Sequence, residues 1–249
     1  MNPRSLLLLA ALALAAGCSN DDAAGNSPPA PARQYVLLLD LSGSQTAAKR
    51  EAAQHAVSEM LARLGPGDRV VLMQVHQGSA SEDGAVRWTD TVPHMLGAEP
   101  TTLDRERAER VRRAARSVAD NIFAQGTAGR LPTTDLFSSL HVAGEYVRDA
   151  GGRRSTLVLL SDMLQSANGV DMERAGGVPS AAWITQQQGA GLLPRLRGAC
   201  VAVIGADATS PAGVRVRRFW QAYFSAAGAR LADDDYRLIA TGGAAPACL

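Results

Sequence analysis

Three oxygen-bearing residues follow one apolar run in a pattern that could hold a metal. Asp40, Ser42 and Ser44 form an Asp-x-Ser-x-Ser pattern directly after the apolar run 35–39. Alternate residues of a short loop can point the same way, and Gly43 gives this backbone the freedom to curl. Oxygen-only sites without His or Cys select Mg²⁺, Mn²⁺ or Ca²⁺ over zinc. The pattern therefore predicts a divalent-cation site, with Mg²⁺ as the expected ion.

A second group of polar residues follows another apolar run. Asp162 comes two residues after the run 155–160, and Thr133 and Thr134 precede a predicted helix. In parallel sheets, ligands bind outside the carboxyl ends of the strands, near the point where the strand order reverses. Two carboxylates at neighbouring strand ends would repel each other, and a bound cation removes that cost. We therefore expect these residues to join the same site.

The elements that must position these residues alternate along the chain. Such alternation predicts an α/β fold, doubly wound, with a mainly parallel central sheet and helices on both faces. The predicted strands are 35–39, 69–75, 85–92, 155–160, 199–204 and 236–240, the third at an edge. The predicted helices are 45–64, 103–124, 135–149, 179–196 and 211–228, with a loop or short helix at 163–177.

These motifs resemble the von Willebrand factor type A (vWA) domain and its metal-ion-dependent adhesion site. The resemblance covers roughly residues 34–241 and implies a Rossmann-like sheet with one antiparallel edge strand. It also implies that two serines and a threonine bind the metal directly, while two aspartates act largely through metal-bound waters. A partner protein would complete the coordination with an Asp or Glu. The implied ligand set is Asp40, Ser42, Ser44, Thr134 and Asp162, with Thr133 as the alternative threonine.

Two departures from the family pattern concern loop geometry. Met163 follows Asp162 where many members of the family have Gly, and the segment 130–134 lacks the glycines common before the threonine. The residue types of the implied metal set are all present. The departures therefore bear on how the loops hold the ligands.

A different interpretation assigns the same hydroxyls to helix caps. Ser and Thr are common where strands give way to helices. On this interpretation Ser44 caps the helix 45–64 and Thr134 caps the helix 135–149. The domain would then be a metal-free structural subunit of a cell-envelope complex.

Enzymatic and nucleic-acid-binding functions receive little support from the sequence. Phosphotransfer sites of the haloacid-dehalogenase type use Asp-x-Asp, but Ser42 occupies the second position here. The chain has no nucleophile elbow around Ser42 and no Gly-x-x-x-x-Gly-Lys phosphate loop. The 25 basic and 24 acidic side chains nearly balance, which argues against nucleic acid as a partner. We therefore expect that the protein is not an enzyme. The remaining catalytic alternative is a Mg-dependent phosphohydrolase.

The N-terminus has the pattern of an exported lipoprotein. Arg4 precedes the uncharged run 5–17, which as a helix would span about 20 Å, less than the roughly 30 Å of a bilayer core. Small residues followed by Cys18 resemble the bacterial lipoprotein cleavage box, which implies cleavage before Cys18 and a lipid on its thiol. Ser19, rather than Asp, follows the cysteine, which by the same resemblance favours the outer membrane facing the periplasm.

The predicted organisation has three parts and one possible disulfide. The parts are a signal peptide at 1–17, a flexible tether at 18–33 that is rich in Ala, Gly, Pro and Ser, and one vWA-like domain at 34–249. The lipid would be the only attachment to the membrane. Export permits a disulfide between the two remaining cysteines, Cys200 and Cys248.

Overall fold

The fold follows the predicted alternation of strands and helices. The structure is a computed structural model, and it describes residues 31–40, 46–76, 87–95, 97, 99–128 and 133–238. The strands are β1 (Arg33–Asp40), β2 (Arg69–Val75), β3 (Arg87–Thr91), β4 (Arg154–Leu160), β5 (Cys200–Ile204) and β6 (Arg230–Arg237). The helices are α1 (Ala47–Ala62), α2 (Thr102–Ala128), α3 (Leu136–Arg148), α4 (Ala181–Gly189) and α5 (Pro211–Ala226).

The six strands form one sheet in the order β3-β2-β1-β4-β5-β6. β3 pairs antiparallel with β2 at one edge, and the other neighbouring pairs are parallel. The doubly wound α/β fold with one antiparallel edge strand is therefore confirmed. The chain builds outwards from β1 to β3 and then returns to place β4 on the other side of β1. The strand order thus reverses between β1 and β4, where Asp40 ends β1 and Asp162 follows β4.

Alternate residues of β1 point to two different cores, because side chains of a strand alternate between the faces of the sheet. Val36 and Leu38 belong to one core, which packs beneath α3, α4 and α5; we call this side the aromatic face. Leu37 and Leu39 belong to the other core, beneath α1 and α2. Phe123 is the one buried aromatic of that second core among the described residues, so we call this side the aliphatic face.

Two predicted elements need correction. The helix predicted at 179–196 ends at Gly189, since Gly191 adopts a φ of +70° and Pro194 cannot continue a helix. The last strand, predicted at 236–240, covers Arg230–Arg237 instead. The run Asp233–Asp235 hid this strand, because charged residues are unusual inside a sheet but common on an edge strand.

The predicted attachments of the domain fall mainly outside the described residues. These include the signal peptide, Cys18 and the tether as far as residue 30. Cys200 opens β5 and is disulfide-bonded, but Cys248 lies outside the described residues, so its pairing with Cys200 stays a prediction. Within the described part of the chain, none of the helices has the length and apolar character needed to span a membrane.

Candidate metal site at the carboxyl edge of the sheet

Three of the five predicted ligands lie at the carboxyl edge of the sheet. Asp40 is the last residue of β1, Asp162 follows β4 by two residues, and Thr134 precedes α3 by two residues. Their exposed fractions are 3%, 8% and 2% respectively, so all three are buried. Ser42 and Ser44 lie outside the described residues. Because β1 and β4 are parallel neighbours, both aspartates reach the edge where the strand order reverses.

Ser161 joins the ends of β1 and β4. Its hydroxyl donates to Asp40 Oδ2 over 2.6 Å and accepts the backbone N–H of Met163 over 2.8 Å. Both bonds are buried, and such bonds to a carboxylate are stronger than bonds between neutral groups. Ser161 therefore orients the Asp40 carboxylate, a role that the sequence analysis did not assign to it.

The loop 161–168 also holds the Thr134 segment. Thr134 N–H donates to Ser166 Oγ over 2.9 Å, and Ser166 N–H donates to the Thr134 carbonyl over 3.0 Å. The fully buried Gln165 accepts the N–H groups of Leu136 and Phe137 on its side-chain carbonyl, at 2.7 and 3.3 Å. The hydrogen bonds of Thr134 to the described residues use its backbone, so its side-chain hydroxyl is left available at the edge.

The helix caps differ from those of the capping interpretation, which is wrong for both helices. Thr46, not Ser44, is the N-cap of α1 and accepts the N–H of Lys49 over 3.3 Å. Asp135, not Thr134, is the N-cap of α3 and accepts the N–H of Ser138. Both helix starts therefore have their caps without the two hydroxyls that the metal interpretation requires.

Asn168 completes the support of the α3 cap. Its side-chain amide donates to Asp135 Oδ2 over 2.8 Å, while Asp135 Oδ1 serves the helix N-terminus. Asn168 has a φ of +53°, in the left-handed region that Asn tolerates better than most residues. Asp135 is thus occupied as a cap, although it adjoins Thr134 in the sequence.

Met163 adopts the backbone conformation for which the family resemblance expects glycine. Its φ is +65°, which costs an ordinary L-residue about 1–2 kcal/mol. Its N–H is held by Ser161, its carbonyl accepts the indole N–H of Trp220 over 2.8 Å, and its side chain is fully buried. These contacts hold the loop after Asp162 in the left-handed turn despite the missing glycine.

Tyr236 adds a polar group that the sequence analysis missed. It lies on β6 with its hydroxyl buried and without a hydrogen-bond partner among the described residues. Burial raises the pKa of this phenol, and the negative charges of Asp162 and Asp207 raise it further. The hydroxyl therefore stays protonated at neutral pH, as a donor beside the carboxylates. The sequence carries no signal for this role, because Tyr236 is a single aromatic residue among the charged residues of β6.

The donors at this edge are suited to a hard cation. No group of three or more His, Cys, Asp or Glu side chains that could hold a metal lies within the described ranges. A cation here would therefore depend on hydroxyl oxygens together with Asp40 and Asp162. Oxygen donors with few charges suit Mg²⁺ or Mn²⁺ and leave positive charge to attract another carboxylate.

Comparison with known proteins gives weak structural similarities. No protein-family model matches the chain, and no curated protein matches it significantly. A structure described as von Willebrand factor type A from Catenulispora acidiphila is 16% identical, with 78% of this chain and 37% of that chain covered and a TM-score of 0.44. The open conformation of the pilus adhesin SpaC from Lactobacillus rhamnosus GG is 14% identical, with 86% and 28% covered and a TM-score of 0.47.

A third similar structure is nearer to this chain in length. It is an aerotolerance-related membrane protein from Bacteroides fragilis with multiple mutations to serines, 13% identical, with 80% of this chain and 92% of that chain covered and a TM-score of 0.42. This chain spans about a third of the length of the first two structures. At these identities and TM-scores, the similarities do not assign the chain to a family.

Proposed function

We propose that this chain is a vWA-like module that binds a partner protein through a divalent metal. The observation that carries this proposal is the loop 161–168, which hydrogen-bonds to Asp40 through Ser161 and to Thr134 through Ser166. The loop ties together three segments that lie far apart in the sequence, and it does so where the strand order reverses. Buried oxygen donors gathered at this point favour a ligand site over an inert edge.

The proposed metal would be held by two carboxylates and three hydroxyls. Mg²⁺ is the expected ion, and an Asp or Glu of the partner would complete its coordination. Ser161 would keep the Asp40 carboxylate oriented, and the Trp220 bond to Met163 would keep the Asp162 loop in place. The full set is Asp40, Ser42, Ser44, Thr134 and Asp162.

The proposed location follows from the N-terminal pattern. A lipid on Cys18 would hold the module at the outer membrane, facing the periplasm, and the tether would let it reach its partner. The proposal includes no catalytic role. Hydrolysis of p-nitrophenyl phosphate that depends on Mg²⁺ and is lost in Asp40→Ala would contradict that part of the proposal.

The direct test is a titration of the full chain, in detergent, with Mg²⁺ and with Mn²⁺. Calorimetric heat and the melting temperature would be followed for the wild type, Asp40→Ala and Thr134→Ala. Asp90→Ala is a matched control, because Asp90 is exposed on β3. We expect saturable binding in the wild type and the control, none in Asp40→Ala, and weaker binding in Thr134→Ala. Unchanged binding in Asp40→Ala would rule out the site.

One observation favours the rival function of a metal-free structural subunit. Asp40 Oδ2 already accepts a hydrogen bond from Ser161, and Asp162 Oδ1 accepts the N–H of Leu164 over 3.0 Å. The two carboxylates thus have partners within the protein. The two functions differ in one measurement, because a structural subunit would retain its partner in EDTA, whereas a metal-bridged partner would be released.

A further inference from the structure

A cleft opens beside the candidate metal site. Its volume is about 610 Å³, and it lies between the first turn of α1, the loop 162–178 and the first turns of α5. Asp162 lines this cleft and also belongs to the proposed metal set. A partner segment with one carboxylate on the metal would therefore have its neighbouring residues at the cleft.

The interior of the cleft is apolar and its wall is firmly built. Its four larger apolar side chains are Leu164, Met172, Val178 and Val216. The wall loop is held by a bond from Met172 N–H to the Gln165 carbonyl over 2.8 Å. Gly177 lies so close to Asp171 that an added Cβ would be 1.7 Å from its carbonyl oxygen. The cleft is therefore a formed apolar surface that a partner side chain could cover.

Two basic side chains of the cleft are open to a partner's carboxylate. Lys49 and Arg215 line the cleft and make no ion pair with the described residues. Arg174 is neutralised by Asp171, since Nε and Oδ2 lie 2.7 Å apart. Glu173 also lines the cleft, and its carboxylate makes no ion pair and accepts no hydrogen bond among the described residues. Asp162 is assigned to the metal.

The remaining acidic group of the cleft is satisfied internally. Asp207 Oδ1 accepts the N–H groups of Thr209 and Ser210, at 2.8 and 3.2 Å. Hydrogen bonds from Ser210 and Thr209 hold the pKa of this carboxyl well below its usual range. Its negative charge is thus stabilised by the turn that begins α5, and both of these N–H groups donate to the same oxygen, Asp207 Oδ1.

We infer that the cleft docks an extended segment of the partner in which the metal-binding Asp or Glu is flanked by apolar side chains and a second carboxylate. This inference rests on the proposed function. The apolar side chains would cover the four-residue interior, and the second carboxylate would meet Lys49 or Arg215. The metal alone selects any acidic residue, so the cleft would supply the specificity for its neighbours.

A peptide library tests this specificity. The full chain in detergent would be immobilised with Mn²⁺ and exposed to seven-residue peptides with Asp fixed at the centre and the other positions random. Parallel arms would use EDTA, and a library with Asn at the centre. We expect retention in the Mn²⁺–Asp arm alone, with the retained pool enriched in Leu, Val, Met or Phe and in a second Asp or Glu.

Matched variants then locate the preference. Val178→Ser and Arg215→Glu change the cleft, while Val170→Ser and Arg218→Glu make the same changes in residues that do not line it. The probe is the most enriched peptide, labelled with fluorescein. We expect its Kd to rise about fivefold to tenfold in each cleft variant and to stay within about twofold in each control. Mn²⁺ affinity and melting temperature would stay near the wild-type values in all four variants.

The outcomes separate this inference from the proposed function. Metal-dependent retention of Asp peptides without any preference for neighbours would overturn the cleft inference and leave the metal-bridged function standing. Equal Kd values in the cleft variants and their controls would overturn it in the same way. Retention that is absent, or unchanged by EDTA, would overturn the proposed function and the inference with it.

Discussion

The two faces of the sheet differ in how they contact the candidate site. On the aromatic face, six rings pack together, and Trp220 adds a hydrogen bond from its indole N–H to the Met163 carbonyl. A buried indole commonly finds such a partner, because its N–H would otherwise be left without one. The rings are Phe137, Trp183, Phe219, Trp220, Tyr223 and Phe224.

A polar contact of the aliphatic face lies at the other end of the domain. Arg112 of α2 donates from Nη2 to the carbonyl of Leu64 over 2.6 Å, just beyond the C-terminus of α1. α1 begins at the carboxyl edge and ends at the opposite edge, so this bond lies away from Asp162. The comparison suggests that the aliphatic face contributes stability, whereas the aromatic face also fixes the loop that carries the site.

The largest expected effect comes from the aliphatic face and should leave the site intact. Leu61 is fully buried near the end of α1. We expect Leu61→Ala to lower the free energy of unfolding by about 2–5 kcal/mol, because it removes buried methyl groups and leaves a cavity. Urea denaturation would measure that loss, and a Mn²⁺ titration below the transition should give the wild-type affinity. A large fall in affinity would break the comparison.

The aromatic face should show a smaller loss of stability together with a change at the site. Trp220→Phe leaves the Met163 carbonyl without its donor, and a buried unpaired group costs about 1–3 kcal/mol. We expect that loss in urea denaturation and a weaker Mn²⁺ affinity. Phe224→Leu is the control, since Phe224 is a buried neighbour on α5. Equal Mn²⁺ affinities for the two variants would contradict a role of Trp220 in holding the loop.

Met163 sharpens the comparison at the level of the backbone. At its φ of +65°, alanine retains the left-handed strain and glycine does not. We expect Met163→Gly to be more stable than Met163→Ala by about 1 kcal/mol, although both lose the buried side chain. Met172 is buried in the same core but has an ordinary φ. We therefore expect Met172→Gly to be less stable than Met172→Ala by about 1 kcal/mol. The same ranking at both positions would remove the argument for strain.

The smallest effect concerns acid stability at the start of α5. The pKa of Asp207 is lower in the folded state than its ordinary value of 3.8, through hydrogen bonds from Ser210 and Thr209. The unfolded chain therefore binds this proton first as the pH falls. The contribution of Asp207 is complete above about pH 4 and is lost as the pH falls towards its depressed pKa.

Asp207→Asn should therefore flatten part of the decline in stability below pH 4, while both proteins keep similar pH profiles from pH 5 to 8. Urea midpoints at half-unit steps of pH would measure this difference. Asp233→Asn is the control, because Asp233 is exposed on the edge strand β6. Identical slopes for the wild type and Asp207→Asn would show that the turn does not contribute.

Much of the fold was predictable because its strands are continuous apolar runs. The bounds of β2 were predicted without error, and β4 and β5 within one residue, since strands buried on both faces must be apolar throughout. β6 was largely missed because an edge strand with exposed positions can carry Asp233–Asp235. The helix α4 was predicted too long, because apolar residues continue beyond the glycines that end it.

The places of Asp40 and Asp162 were predictable, but the contacts that support them were not. Asp40 and Asp162 were expected at neighbouring strand ends, and the structure puts them there. The caps were misassigned by two residues in one case and one in the other, because Ser, Thr and Asp all cap helices and lie side by side here. Cap choice depends on which side chain reaches a free N–H, which spacing alone does not specify.

The sequence by itself determined the alternation of strands and helices, the doubly wound sheet and the edge at which its polar residues must lie. These properties depend on apolar periodicity and on the direction of successive strands, both of which are local or repeat regularly. Only the tertiary structure decided that Ser161 bonds to Asp40, 121 positions away. It also decided that Trp220 holds Met163, 57 positions away, in a left-handed turn. Such contacts depend on hydrogen-bond geometry between segments that meet only after the sheet has formed.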